Sequence, residues 1–343
     1  STFRCCTYYW TLSPIIGGLI KGQPSVSVGV RGAVRDHAEE FEPLPGYDAG
    51  YVDEQANIGI AFNDKPASWP ASWPIEEDAT GSYTDAVTGK SWSGIERPLD
   101  IDQPGGSGLR FPGVLDGISV APRESYFVVT DNDPLEGNTL ESNGIGPLNV
   151  RVDMWVLQYD DILNQDFIIY WQKFTNVGKD TLYEVFVGLA GDPDTPEQGG
   201  AEWTDDYSLF IHKDDPLMAE KLADTTESNL LWDLAIIWDG DDQSEGFKSS
   251  GLGWIGLKAL KTPYSQTADG EDNDLDGLID EGFDGMDNDA DGDIDEEDEQ
   301  EEIGITNYFA YPYDLDAQSD NEAYFTQIRG GFGFDNPDYT GYQ

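Results

Sequence analysis

Val150–Leu157 (VRVDMWVL), Phe167–Phe174 (FIIYWQKF) and Leu182–Leu189 (LYEVFVGL) are the three runs on which the fold turns. Each is rich in β-branched and aromatic residues, and the first two partly alternate apolar with polar, as strands with one face on a core do. Asn176–Asp180 (NVGKD) supplies turn chemistry between the second and the third. Working outward, Tyr126–Thr130, Val150–Tyr159, Phe167–Asn176, Leu182–Leu189, Tyr207–His212, Leu230–Trp238 and Trp254–Leu260 share that composition, and Asp/Gly/Pro/Asn clusters separate them. Seven such runs predict an all-β, antiparallel fold of immunoglobulin-like or jelly-roll-like sandwich type with long loops. The Cys…Trp…Cys hallmark of immunoglobulin domains is absent, so only the architecture follows. Alternation puts Phe167, Ile169 and Trp171 on one face, with Val185 and Val187 on one face of the next strand; these five are the expected core. Helix signals are few, and Pro216–Ala223 (PLMAEKLA) is the best of them.

The strongest chemical signal lies further on. Asp269–Glu281 reads DGEDNDLDGLIDE and Asp284–Glu296 reads DGMDNDADGDIDE, identical at ten of thirteen positions. Each copy sets carboxylates at alternate positions before a glycine: Asp272, Asp274, Asp276 and Gly277, then Asp287, Asp289, Asp291 and Gly292. Alternate residues of a tight loop can turn carboxylates inward, which suits a hard cation taking about six to eight oxygen ligands at about 2.3–2.6 Å. Between Asp269 and Glu302 there are 19 acidic residues and no basic ones, which would repel one another without a cation. A solvated acidic linker is the bland alternative, but the repeated glycine and the matched Ile279 and Ile294 argue for an ordered calcium-binding tandem.

The loops are not EF-hands. Counted from Asp272, loop position 12 is Phe283, and counted from Asp287 it is Asp298, where the EF-hand uses a bidentate Glu. Asp280 with Glu281, and Asp295 with Glu296, instead follow each glycine closely. The pattern DxDxDGxxDE resembles thrombospondin type 3 repeats and dockerin-like calcium loops. The expected ligands of Ca2+ are therefore Asp272, Asp274, Asp276, Asp280, Glu281, Asp287, Asp289, Asp291, Asp295 and Glu296.

A broader resemblance runs over about residues 50–330. Asp166–Asp194 (DFIIYWQKFTNVGKDTLYEVFVGLAGDPD), then Trp238-Asp239-Gly240, then Gly253–Thr262 (GWIGLKALKT), then the acidic tandem and a segment at Asn307–Tyr313, resemble large, uncharacterised, secreted β-rich surface proteins of environmental bacteria. The resemblance implies export, a β-rich surface protein and calcium loops. It supplies no catalytic residue.

The formal charge is −50, from 68 acids against 18 bases; outside the tandem, 49 acids still face those 18. Such a surface repels nucleic-acid phosphates and anionic membranes and favours cations or basic protein surfaces. With 38% hydrophobic residues the chain has ample material for a core. The two cysteines, Cys5 and Cys6, are neighbours and cannot staple a fold, and the only histidines are His37 and His212. No run approaches the roughly 20 apolar residues of a spanning helix. A start at Ser1 fits either a mature form after signal removal or a piece of a longer chain, and calcium loops of modest affinity work where calcium is millimolar, outside the cytoplasm. The expected location is therefore exported: periplasmic, extracellular or at the surface of a Gram-negative bacterium.

Other motifs weigh less. Ala67–Pro70 and Ala71–Pro74 repeat the phrase ASWP, either as a glycan- or partner-binding face or as two tryptophans folded onto the sandwich. Gly251-x-Gly253-x-x-Gly256 formally matches a dinucleotide fingerprint, but a strand-like run follows where a helix is needed. Gly89-Lys90-Ser91 lacks the preceding glycine of a phosphate loop, because Thr84 stands there, and no GxSxG elbow exists. Asp192 and Asp194, Asp205 and Asp206, and Asp239, Asp241 and Asp242 follow strands, as ordinary turn acids or as a second cation or binding loop.

The expected organisation is an extended N-terminal arm over 1–50, a β domain over 51–262, calcium repeats over 263–302 and a return to the β domain over 303–343. Ser25–Val30 (SVSVGV) is a possible edge strand within the arm. The arm holds Arg4, Lys21, Arg31 and Arg35, and Tyr8, Tyr9, Trp10, Ile15 and Ile16 are its expected partner-binding anchors, with packing on its own sandwich as the alternative. The functional expectation is a non-catalytic, calcium-binding structural or interaction protein of a surface or membrane-associated assembly. The alternatives are an extrinsic periplasmic subunit of a membrane complex and a carbohydrate-binding or glycan-active protein, which would need Trp69, Trp73 or Trp92 exposed on a concave face.

Overall fold

The computed structural model describes residues 9–28, 41–43, 60–69, 73–74, 83–84, 91–92, 96–97, 111–115, 118–131, 147–193, 206–211, 234–239, 254–263, 305 and 308. Among them the secondary structure is antiparallel β-sheet, with a short 3-10 turn at Pro66–Ser68 and no α-helix. In chain order the strands are β1 (Tyr9–Ile20), β2 (Gln23–Val28), β3 (Glu42–Pro43), β4 (Ala61–Phe62), β5 (Trp73–Pro74), β6 (Tyr83–Thr84), β7 (Ser91–Trp92), β8 (Glu96–Arg97), β9 (Arg123–Thr130), β10 (Val150–Gln158), β11 (Ile168–Asn176), β12 (Leu182–Pro193), β13 (Asp206–Ile211), β14 (Leu234–Asp239) and β15 (Trp254–Lys258). The seven expected runs are β9 to β15, and the helix candidate Pro216–Ala223 lies outside the described residues.

Contacts divide the chain into a unit centred on Leu12–Gly191 and another centred on Asp192–Leu315. The boundary thus falls inside the segment 51–262 expected as one domain. The first unit holds two sheets, ordered β12-β1-β2 and β11-β10-β9-β3, with β4 also on β9.

Where an arm was expected, residues 9–28 form a hairpin. Lys21 (φ 53°) and Gly22 (φ 79°) both take left-handed backbone, the two-residue turn whose twist suits adjoining strands, and Ile20 pairs with Gln23. Pro14 precedes the first β1–β2 pair, Ile15↔Val28, so its missing N–H breaks none of those pairs. Ser25–Val30 was expected as an edge strand, and β2 does end its sheet. Lys21 at the hairpin tip meets Asp180 at 2.8 Å.

β9, β10 and β11 form a meander. The register Val152↔Val129 and Val152↔Phe174 puts alternate residues on one face, and Val150, Val152 and Met154 share a core with Ile16, Ile20, Phe41 and Leu148. Phe127, Val129, Phe174 and Leu182 pack against it. Side chains from both sheets of the unit therefore meet in one apolar cluster. The opposite face of β9 and β10 is covered as well: Ala61, Phe111 and Ala121 are buried, and the Trp155 indole N–H donates to the Pro112 carbonyl at 2.6 Å.

The expected core of β11 and β12 is corrected. Phe167, Trp171, Val185 and Val187 are exposed (44%, 45%, 44% and 39%), and Ile169 is only half-buried. The reason is topological. β11 and β12 are not paired: residues 177–181 carry the chain from one sheet to the other, and among the described residues each strand ends its sheet. Gly178 is required in that link, since a Cβ there would lie 2.9 Å from the Asn149 Cβ.

In the second unit β13, β14 and β15 form a meander with Phe210, Ile211, Ala235 and Ile237 buried. Phe210 stacks on Tyr308, ring centroids 4.7 Å apart and nearly parallel.

Candidate functional site

Polar chemistry gathers on the sheet of β9 and β10. Asp153 Oδ1 accepts hydrogen bonds from the Tyr126 hydroxyl and from Arg151 Nη2, each at 2.5 Å, with all three residues buried. The residues converge because Tyr126 and Asp153 lie on the same face of antiparallel neighbours, where Tyr126 pairs with Trp155 and Asp153 with Val128. Burial, then the Asp153 charge, pushes the Tyr126 phenol well above its ordinary value, so it remains a proton donor at neutral pH. The group is a charge pair capped by a phenol inside the sheet, and its chemistry is that of an internal brace.

Asp131, just after β9, links the two sheets. It accepts from the Ser27 hydroxyl on β2 at 2.8 Å and from the Val150 N–H on β10 at 2.6 Å. Burial pushes its carboxyl up to about 6, against the opposing pull of those two hydrogen bonds. Glu124 is fully buried; its Oε1 accepts from the Val120 and Ala121 N–H groups, and Oε2 has no partner among the described residues.

The ten carboxylates expected to hold calcium, Asp272, Asp274, Asp276, Asp280, Glu281, Asp287, Asp289, Asp291, Asp295 and Glu296, lie outside the described residues, as does Tyr8. Tyr9 and Trp10 begin β1. Ile15 is half-buried, and Ile16, at 2% exposure, belongs to the core cluster. Ile16 is therefore a packing residue and not a free anchor, because inward alternation along β1 commits it and Ile20 to the same core. Trp69 is half-buried, donates its indole N–H to the Phe62 carbonyl at 2.8 Å and meets Phe111, so it is turned onto its own segment. Among the clustered acids, Asp206 and Asp239 are placed directly opposite each other by the β13–β14 register.

Sequence reasoning missed an exposed apolar strip. In the turn before β11, Ile162 and Leu163 are 82% and 85% exposed, and Ile168 and Tyr170 are exposed beyond them. Asp161 builds that turn: its carboxylate accepts from the Leu163 N–H and the Asn164 amide, which holds the carboxyl below its ordinary value. The available signal was the apolar pair set among acids in Asp160–Asp166 (DDILNQD), where a turn needs no aliphatic side chain. Compared with protein families, with curated proteins and with solved structures, the chain matches none.

Proposed function

We propose that this chain is an exported, non-catalytic calcium-binding protein that acts by contact, as a structural or interaction component of a bacterial surface or membrane-associated assembly. The observation that carries the reading is the tandem at Asp269–Glu281 and Asp284–Glu296, with its matched carboxylates and glycines. Each loop offers five acids in a spacing that suits an oxygen-seeking cation, and a bound ion would relieve the repulsion among them. The acidity of the rest of the chain supports a cationic or basic counterpart and opposes a nucleic-acid one. A sandwich arrangement of the first unit is supported by the apolar cluster that draws on both of its sheets.

Isothermal titration of the full chain tests the reading. The expected uptake is about two calcium ions per chain, one for each loop. Calcium at about 100 times its dissociation constant should stabilise the folded state by roughly 2.7 kcal/mol for each loop it occupies, provided the unfolded loops bind weakly. Asp274→Ala and Asp289→Ala should each remove about one site. Absence of calcium uptake, or a melting temperature indifferent to chelator, sinks the proposal.

A further inference from the structure

Sheet edges invite pairing, and proteins guard them with short strands, bulges, proline or charge. The first unit guards three of its edges. The outer edge of β9 is covered by β3 at Val129 and Thr130 and by β4 at Ser125 and Tyr126. β2 is buried from Pro24 to Val28. β12 is interrupted by Glu184 at φ 45° and ends at Pro193. β11 has few of these devices: it is nine residues long, holds no glycine, proline or left-handed residue, carries a single charge at Lys173, and ends its sheet among the described residues.

Both faces of β11 are open at once. Register with β10 places Ile168 and Tyr170 on the side of Val156, and Trp171 on the side of Trp155. All three are exposed, at 47%, 37% and 45%. A partner lying flat on the sheet would cover only one of these groups. A strand added alongside β11 would cover both and would also pair with its main chain along the outer edge.

Charge narrows the occupant. Residues 167–191 contain two acids, Asp180 and Glu184, and two bases, Lys173 and Lys179, in a chain of net charge −50. This strip is a place where a partner can dock without burying excess negative charge, while Asp160, Asp161 and Asp166 stand exposed at its hairpin end. A second copy of the chain would bring another −50 with it. The geometry points to β11 as a docking edge for an extended strand of another protein, apolar at alternate positions and carrying Lys or Arg at the end that meets the Asp160–Asp166 turn. This rests on the reading of the chain as a contact protein, and it is independent of whether the acidic loops take calcium.

The test uses the full chain and a fluorescent synthetic strand of alternating Val and Thr with a Lys cluster at one end, beside a twin with Glu for Lys. Binding is read by anisotropy at low and high salt, and protection by hydrogen exchange over residues 168–176. The expected result is binding of the Lys peptide that weakens with salt, slowed exchange along β11, and a dissociation constant about tenfold or more below that of the Glu twin. Trp171→Lys and Ile168→Lys, on opposite faces and both at exposed positions, should each abolish binding while calcium uptake and the β-sheet circular-dichroism spectrum persist. Equal binding of the Glu twin, unchanged exchange over 168–176, or unchanged binding by either folded variant overturns the proposal. So does a dimer in sedimentation velocity that Trp171→Lys splits, since the occupant would then be a second copy. A failure of calcium uptake with intact peptide binding would strike the proposed function instead.

Discussion

β10 and β11 are paired along nine positions, from Val150↔Asn176 to Gln158↔Ile168, yet their environments invert their compositions. β10 (VRVDMWVLQ) carries an arginine and an aspartate and is buried over most of its length. β11 (IIYWQKFTN) opens with four apolar or aromatic residues and is mostly exposed or half-buried. What separates them is place: among the described residues β10 has a neighbour on each side, and β11 has one. Charge is tolerated at the centre because Arg151 and Tyr126 both donate to Asp153, and apolar surface is left open at the edge because nothing in the first unit's described residues covers it.

The contrast breaks most sharply under a buried charge. Val152 is 0% exposed, and Val152→Asp should unfold the first unit, destabilising it by about 4 kcal/mol or more. Ile169→Asp introduces the same charge on the neighbouring strand at a half-buried position, so about 1–2 kcal/mol is expected. Guanidinium titration followed by far-ultraviolet circular dichroism measures both; equal losses would mean that the two strands are equally buried.

Next in size is the brace itself. Asp153→Ala removes the acceptor of both Arg151 and Tyr126 and leaves a cation inside the sheet, which should cost about 3–5 kcal/mol. Replacing the pair together, Arg151→Met with Asp153→Leu, should recover most of that loss, because two desolvated charges leave at once. A double variant no more stable than Asp153→Ala would show that Arg151 has a role beyond this pair.

Much of this was legible beforehand and some was not, for physical reasons. Strand composition and the clusters between strands located β9 to β15 with only small shifts at the ends, since a pleated surface selects β-branched and aromatic residues locally. β1 escaped because Pro14 and Gly17-Gly18 interrupt the apolar run Trp10–Ile20, though the proline precedes the registered pairs with β2. Alternation sorted Phe167 and Trp171 onto one face, but whether that face is covered depends on which strand lies next in the sheet, a long-range fact that periodicity does not carry. The acidic tandem is legible because its ligands lie within one short loop. Ser27 with Asp131, separated by 104 positions, is not, because only the folded sheets bring them together.

Asp131 sharpens the comparison through pH. Its folded carboxyl is raised to about 6 from the ordinary 3.8, chiefly by burial, so the native state holds the proton more tightly than the unfolded chain. Its contribution to stability is therefore fully present below about pH 3.8 and is lost as pH rises through about 6. The amplitude is about 3 kcal/mol. Asp131→Asn keeps an acceptor for the Val150 N–H and cannot titrate, so the stability difference between wild type and variant should shift by about that amount between pH 4 and pH 7. Taking the difference cancels the general relief of acid repulsion at low pH; a constant difference would show that Asp131 is not desolvated as its position implies.

The smallest effect belongs to the edge. Trp171 stands directly across from Trp155 on the same face, but Trp155 contacts the Tyr126 ring at 5.0 Å and anchors its N–H on Pro112, while Trp171 is 45% exposed. Truncating a well-packed tryptophan costs about 3–5 kcal/mol, and Trp155→Ala should approach that range. Trp171→Ala removes surface that is already in water on one side, so its loss should stay near 1 kcal/mol. Denaturation midpoints of the two variants, taken with the same transition slope, decide the matter. A large loss at Trp171 would mean that the edge is covered within the chain itself, and β11 would then not be open to a partner.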